Sequence, residues 1–159
     1  MESSDVANAF TRMLHALDAK DGAGDRREFA DQIDIDYSSL FGTPPERVQG
    51  DAQVAGWQAF ASAFDATQHV TGPFVVTIDD DQATAETHVR AYHQITGAAG
   101  GEIWMVAGHY QVRLHLIGSG WKISGIKLTV FYQEGNRGIL ETALARAADS
   151  SRADAQPPR

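Results

Sequence analysis

Apolar residues at helical spacing open the chain: Val6, Phe10, Met13, Leu14 and Leu17 recur behind Ser3 and Ser4, either of which can cap a helix running to about Lys20. Asp18 follows Leu14 by one helical turn, so it projects from the edge of the apolar stripe rather than from the opposite side. The helix dipole disfavours a carboxylate at that end, which leaves Asp18 a candidate for a partner or a role. A loop over 21–25 leads to a short helix over 26–32, and then Ile33, Ile35 and Tyr37 alternate as the buried side of a strand. Pro44 and Pro45 make 41–45 a loop. A third helix over 51–64, capped by Asp51, turns Val54, Trp57, Phe60, Ala61 and Phe64 inward.

From Gln68 the period changes to two, and extended segments over 68–79, 82–95, 103–117 and 121–133 predict an antiparallel meander. Strands of that length must bend or carry bulges. A last helix is expected from Asn136 to about Ala148, followed by a polar tail over 149–159 that ends in Pro-Pro before Arg159 and is expected to be disordered. Residues 1–148 then form one domain. Three helices before a long sheet predict an α+β fold, a cone-shaped barrel with the helices packed in the concave face of a strongly curved, mostly antiparallel sheet.

Such a cone has room for a pocket, and the strand over 82–95 indicates what faces it. Ala83, Ala85, Thr87, Val89, Ala91, His93 and Ile95 share one side, so His93 and Ala91 lie among small residues that leave space for a ligand. The strand over 103–117 admits two readings. Either Trp104, Val106, Tyr110, Val112, Leu114 and Leu116 face the core, or they form an interface with another subunit while Gln111 and Arg113 line the pocket. The second reading predicts a homo-dimer or homo-trimer.

Composition removes several classes of function. With 13 basic against 21 acidic residues the net charge is −8, and no basic cluster is interleaved with aromatics, so nucleic acid is not an expected partner. There is no cysteine, which excludes disulfides, thiolate catalysis and Cys-ligated metals. No apolar run is long enough to span a membrane and the first residues lack a signal core, so a cytoplasmic protein without membrane association is expected. There is no GxGxxG, Walker or Gly-x-Ser-x-Gly pattern. His88 and His93 point to opposite sides of one strand, and His109 and His115 lie too far apart along another to chelate together. A zinc site from Asp18, His69 and His93 is a minor alternative that no spacing signals.

His69 stands where the third helix gives way to the first strand of the meander, a junction that often opens on a fold's interior. Imidazole exchanges protons near neutral pH at little cost, and Asp18, His93 and Tyr37 are candidate companions.

Leu17-Asp18-Ala19-Lys20-Asp21, Ile35-Asp36-Tyr37-Ser38-Ser39, Thr67-Gln68-His69, Tyr92-His93-Gln94 and the run Gly120 to Lys127 resemble, in that order, the SnoaL-like branch of the nuclear transport factor 2-like superfamily, and within it the scytalone dehydratases. The resemblance implies that Asp18 and His69 form an acid/base pair, that His93 protonates a leaving hydroxyl, and that Tyr37 donates to a substrate carbonyl. The second tyrosine of those enzymes falls on Leu17. Their polar strand residues fall on Gln111 and Arg113, which the resemblance places in the pocket with Ala91, Ile126 and Leu128. It implies a lyase or isomerase of the dehydratase or polyketide-cyclase kind, working without a cofactor on a small hydrophobic oxygenated molecule. The alternatives are a non-catalytic ligand-binding or interaction module and an epoxide-opening hydrolase or cyclase, the last favoured by an Asp-Arg-Asp relay for which Arg113 is the available arginine.

Overall fold

A computed structural model describes residues 2–155. Helix α1 (Ser3–Asp18) presents the expected stripe, and all of Val6, Phe10, Met13, Leu14 and Leu17 are buried. Its cap is Glu2 rather than a serine, with Glu2 and Asp5 closing a reciprocal capping box. The short helix lies earlier than the pattern predicts: α2 spans Gly22–Arg27, because the Asp21 side chain accepts from the Gly24 amide and starts the turn there. Strand β1 (Phe29–Asp36) therefore begins four positions before the expected Ile33, with Phe29 buried at its start. It is followed by a single turn, α3 (Ser38–Phe41), which ends on Gly42 at φ 72°. An edge strand that the pattern does not reveal, β2 (Glu46–Gln49), precedes α4 (Gly50–Ser62), which starts at Gln49; Asp51 pairs with Arg26 instead of capping.

The expected first strand of the meander is two strands, β3 (Ala66–Thr71) and β4 (Val75–Asp79), divided at Gly72-Pro73, where proline removes a ladder donor. Both pair with β5 (Gln82–Gln94), which pairs in turn with β6 (Ile103–Ile117) and β6 with β7 (Gly120–Gly135). The seven-stranded sheet has the order β2-β1-β7-β6-β5-β3, with β4 on β5, and only β1–β7 is parallel. Register shifts between β6 and β7 at Ala107/Gly108 and Arg113/Leu114 interrupt the long ladder. Gly108 is required at the first of these, since a Cβ there would lie 2.4 Å from the Thr129 carbonyl oxygen. The last helix, α5 (Gly138–Asp154), continues well beyond Ala148 into the segment expected to be a tail; residues 156–159 lie outside the described residues.

The inner side of the sheet meets α1 across alanines 83, 85 and 91 of β5, whose small side chains let the helix approach. A second cluster, around Phe64, Trp104, Ile139 and Leu140, seats α5 at the other end. Trp104, Val112 and Leu114 are all at 1% exposure or below, so the apolar side of β6 is the core and not a subunit interface. The reason for expecting a second subunit on that surface lapses with it. No helix among the described residues is long and apolar enough to cross a membrane.

One acid is buried apart from any cavity wall. Asp25 of α2 is at 0% exposure; Gln58 of α4 donates to Oδ2 at 3.0 Å and Oδ1 has no partner. Burial, opposed by the Gln58 hydrogen bond and reinforced by the Asp21 charge, pushes its carboxyl up to about 6. A carboxyl raised on folding imposes no penalty below its unfolded value and the full penalty above its folded one, so Asp25 costs stability progressively between about pH 4 and 6. Asp25→Asn should raise the melting temperature at pH 8 by several degrees, corresponding to about 1–3 kcal/mol, and should give no gain at pH 4. Equal melting temperatures of the two proteins at pH 8 would contradict this account.

Candidate active site

The end of α1 brings Asp18 against β3, where Thr67 and His69 point to the same side. The carboxylate accepts three hydrogen bonds: from the Thr67 hydroxyl at 2.9 Å, from the His69 amide at 2.8 Å, and from His69 Nδ1 at 2.7 Å. Burial pushes the Asp18 carboxyl up, but the His69 ring and amide and the Thr67 hydroxyl together outweigh it and hold the group below the usual carboxylate range. A carboxylate is acceptor-only, so Nδ1 of His69 carries the proton and Nε2 is left as the free lone pair.

His93 stands across from Thr67 on β5, its ring centroid 6.3 Å from that of His69. It stacks on Trp104 at 4.4 Å and packs against Phe64 at 4.9 Å, and Nδ1 donates to the Trp104 carbonyl at 3.2 Å. Burial first, and then the neighbouring His69 charge, push it down to about 4, against smaller opposing effects of the Trp104 carbonyl and Asp18. At neutral pH it is an uncharged imidazole whose Nε2 can only accept. The resemblance made His93 an acid; its enclosure by aromatic rings makes that role unfavourable.

Thr67, His69 and His93 line a cavity of about 500 Å3 between α1, α4, α5 and the sheet. Its walls are apolar and aromatic, with Leu17, Trp57, Phe60 and Trp104 prominent, and among the described residues no Asp, Glu, Lys or Arg lines it. Tyr37, at the end of β1, and Tyr110 of β6 face the same space. Their phenols interact, and burial is the main cause that pushes Tyr37 well up and Tyr110 up to about 12, so both remain protonated donors. Tyr110 is the residue that sequence reasoning missed as a site member; the signal was a lone phenol within the apolar side of β6. Thr67 was visible in the Thr-Gln-His run without a role attached.

Of the expected site residues, Asp18, His69, His93, Tyr37, Ala91 and Leu128 come together. Ile126 is buried in the neighbouring core and does not line the cavity. Gln111 and Arg113 do not belong to the site. The alternation that turns Tyr110 and Val112 inward turns these two outward, where Gln111 donates to Glu86 at 3.0 Å and Arg113 to Asp34 at 2.7 Å beside a shallow groove of about 220 Å3. The ring-opening reading loses its arginine by the same fact. No group of three or more His, Asp or Glu suited to a metal occurs among the described residues.

Comparison with known proteins bears on the fold as a whole. A protein of Kribbella flavida, Kfla4162, superposes with a TM-score of 0.82 at 34% identity, over 87% of this chain and 95% of that one. A proposed scytalone dehydratase of Novosphingobium aromaticivorans superposes at 0.72 with 15% identity, over 84% and 87%. The type 3 hexachlorocyclohexane dehydrochlorinase LinA of Novosphingobium barchaimii does so at 0.69 with 11% identity, over 85% and 90%. No curated protein matches the chain. The model of the SnoaL-like domain matches residues 2–127, and the chain belongs to that family.

Proposed function

We propose that the chain is a cofactor-independent lyase or isomerase that removes a proton from a small, uncharged, largely apolar substrate bearing a carbonyl and a hydroxyl. The observation that carries this reading is the Asp18–His69 contact of 2.7 Å on the wall of a largely apolar cavity. Asp18 fixes the tautomer of His69 and stabilises the imidazolium that forms when Nε2 takes a proton alpha to the carbonyl. The phenols of Tyr37 and Tyr110 donate to the carbonyl oxygen as it gains negative charge, in surroundings with no competing charged side chain. His93 accepts from the substrate hydroxyl through Nε2.

The proton has one way back. With His93 neutral and the phenols far from ionising, the His69 imidazolium is the strongest acid facing the substrate. It returns its proton either to the departing hydroxyl, giving an alkene and water, or to another carbon of the enolate, giving an isomer. A leaving group stable as an anion needs no proton, so loss of halide, the reaction named in the dehydrochlorinase LinA, is compatible with the same groups.

Three outcomes test this reading on a panel of small β-hydroxy ketones and unsaturated ketones. His69→Ala should lower kcat/KM at least about 100-fold, and Asp18→Asn by about 10- to 1,000-fold; full activity in both variants eliminates the pair. His93→Gln, which retains an acceptor, should raise KM and leave the pH profile of kcat unchanged between pH 5 and 9, whereas loss of a basic limb would identify His93 as the acid. Neutral 2-naphthol should quench the fluorescence of the cavity tryptophans and 2-naphthoate should bind at least about tenfold more weakly, since its charge would be desolvated without a cationic partner. Binding of 2-naphthol without turnover of any panel member would favour the non-catalytic module.

A further inference from the structure

The outer side of the sheet carries two imidazoles that the cavity does not use. His88 of β5 and His109 of β6 are directly opposite in the antiparallel register, on adjacent strands with neighbours on both sides. Their flanking residues Thr87, Val89 and Tyr110 are buried inward, so both histidines point away from the cavity, His88 exposed and His109 half-buried. The ring centroids are 5.8 Å apart at an interplanar angle of 70°, and Phe131 stands edge-on to His88, also at 5.8 Å.

We propose that His88 and His109 form a surface site for a divalent late transition-metal ion. Metal–nitrogen bonds of about 2.0–2.1 Å put each ring centroid about 3 Å from a shared ion, so two imidazoles at a tetrahedral angle have centroids about 5 Å apart. The observed separation closes to that value by side-chain rotation. Two imidazole nitrogens select copper, nickel and zinc over magnesium and calcium, which demand oxygen donors. The remaining coordination positions face solvent and take water.

Both signs of charge flank the pair on the outer side of the sheet. Arg90, two positions along β5 on the same side, opposes a bound cation and interacts with the phenols of Tyr92 and Tyr132. Glu86, two positions the other way, is held by Gln111. The chain's net charge of −8 raises the local concentration of cations generally.

Titration calorimetry with nickel or zinc chloride at pH 7.5, in a non-coordinating buffer, tests the site. One ion per chain is expected, with a Kd below about 100 μM, and the same result in His69→Ala, which lacks the cavity base. Either His88→Ala or His109→Ala should weaken binding at least tenfold. Both substitutions fall on the outer surface, and circular dichroism establishes that the variants are folded. Absence of binding in the unaltered protein, or binding that persists in the double variant or is lost in His69→Ala, overturns the proposal.

Discussion

The contact between Asp18 and β3 is the constraint on which the rest of the molecule depends. A carboxylate at the C-terminal end of α1 is placed against the helix dipole and partly withdrawn from water, and both effects oppose its charge. Three donors from Thr67 and His69 offset them. Because one of the three is a backbone amide, the arrangement also holds the end of α1 to the rim of the sheet. The helix axis is thereby pinned at one end by a polar clamp and along its length by Phe10, Met13 and Leu14 against the alanines of β5. The cavity is the space left between this crossing, α4, α5 and the sheet, and the ring that Asp18 holds stands on its wall.

That volume has an unusual electrostatic economy. Asp18, the carboxylate that holds the His69 ring, stands behind that ring and not on the wall. Among the described residues the polar groups on the wall are two hydroxyls, two phenols, two indoles and two imidazoles. His69 has its Nδ1 held by a carboxylate; His93 has its Nδ1 hydrogen held by a carbonyl and its faces covered by Trp104 and Phe64, which favours the neutral ring. Two rings of one residue type thus stand in different surroundings, and the proposed division into base and acceptor rests on that difference.

Much of this was legible in the sequence. The stripe of α1, the inward side of β5 and the placing of Asp18, His69, His93 and Tyr37 around one pocket follow from periodicity and from the family resemblance. What was not legible depended on contacts between distant segments. The start of β1 at Phe29 is set by pairing with β7, including the Ile123 amide donating to the Glu28 carbonyl, and no local propensity encodes it. The edge strand β2 exists because β1 offers it a partner. The acceptor role proposed for His93 rests on Phe64 and Trp104, each remote in sequence. Likewise, spacing along a single strand could rule out chelation by His109 with His115 but could not bring His88 beside His109, which requires the β5–β6 register.

Gln111 and Arg113 illustrate where a family resemblance and an elementary periodicity conflict, and which should prevail. Residue correspondence along a strand is uncertain by one position wherever ladders are bulged, and β6 has register shifts near both ends of this stretch. A shift of one residue exchanges every side chain between the two sides of the sheet. The alternation of Tyr110, Val112 and Leu114 is local and unbroken, and burying those three while exposing Gln111 and Arg113 is favoured by several kcal/mol over the reverse. The hydrophobic pattern therefore outweighs the correspondence. It also supplies what the correspondence lost at Leu17, since the residue it turns inward beside Tyr37 is Tyr110, a second phenol reaching the cavity from a different strand.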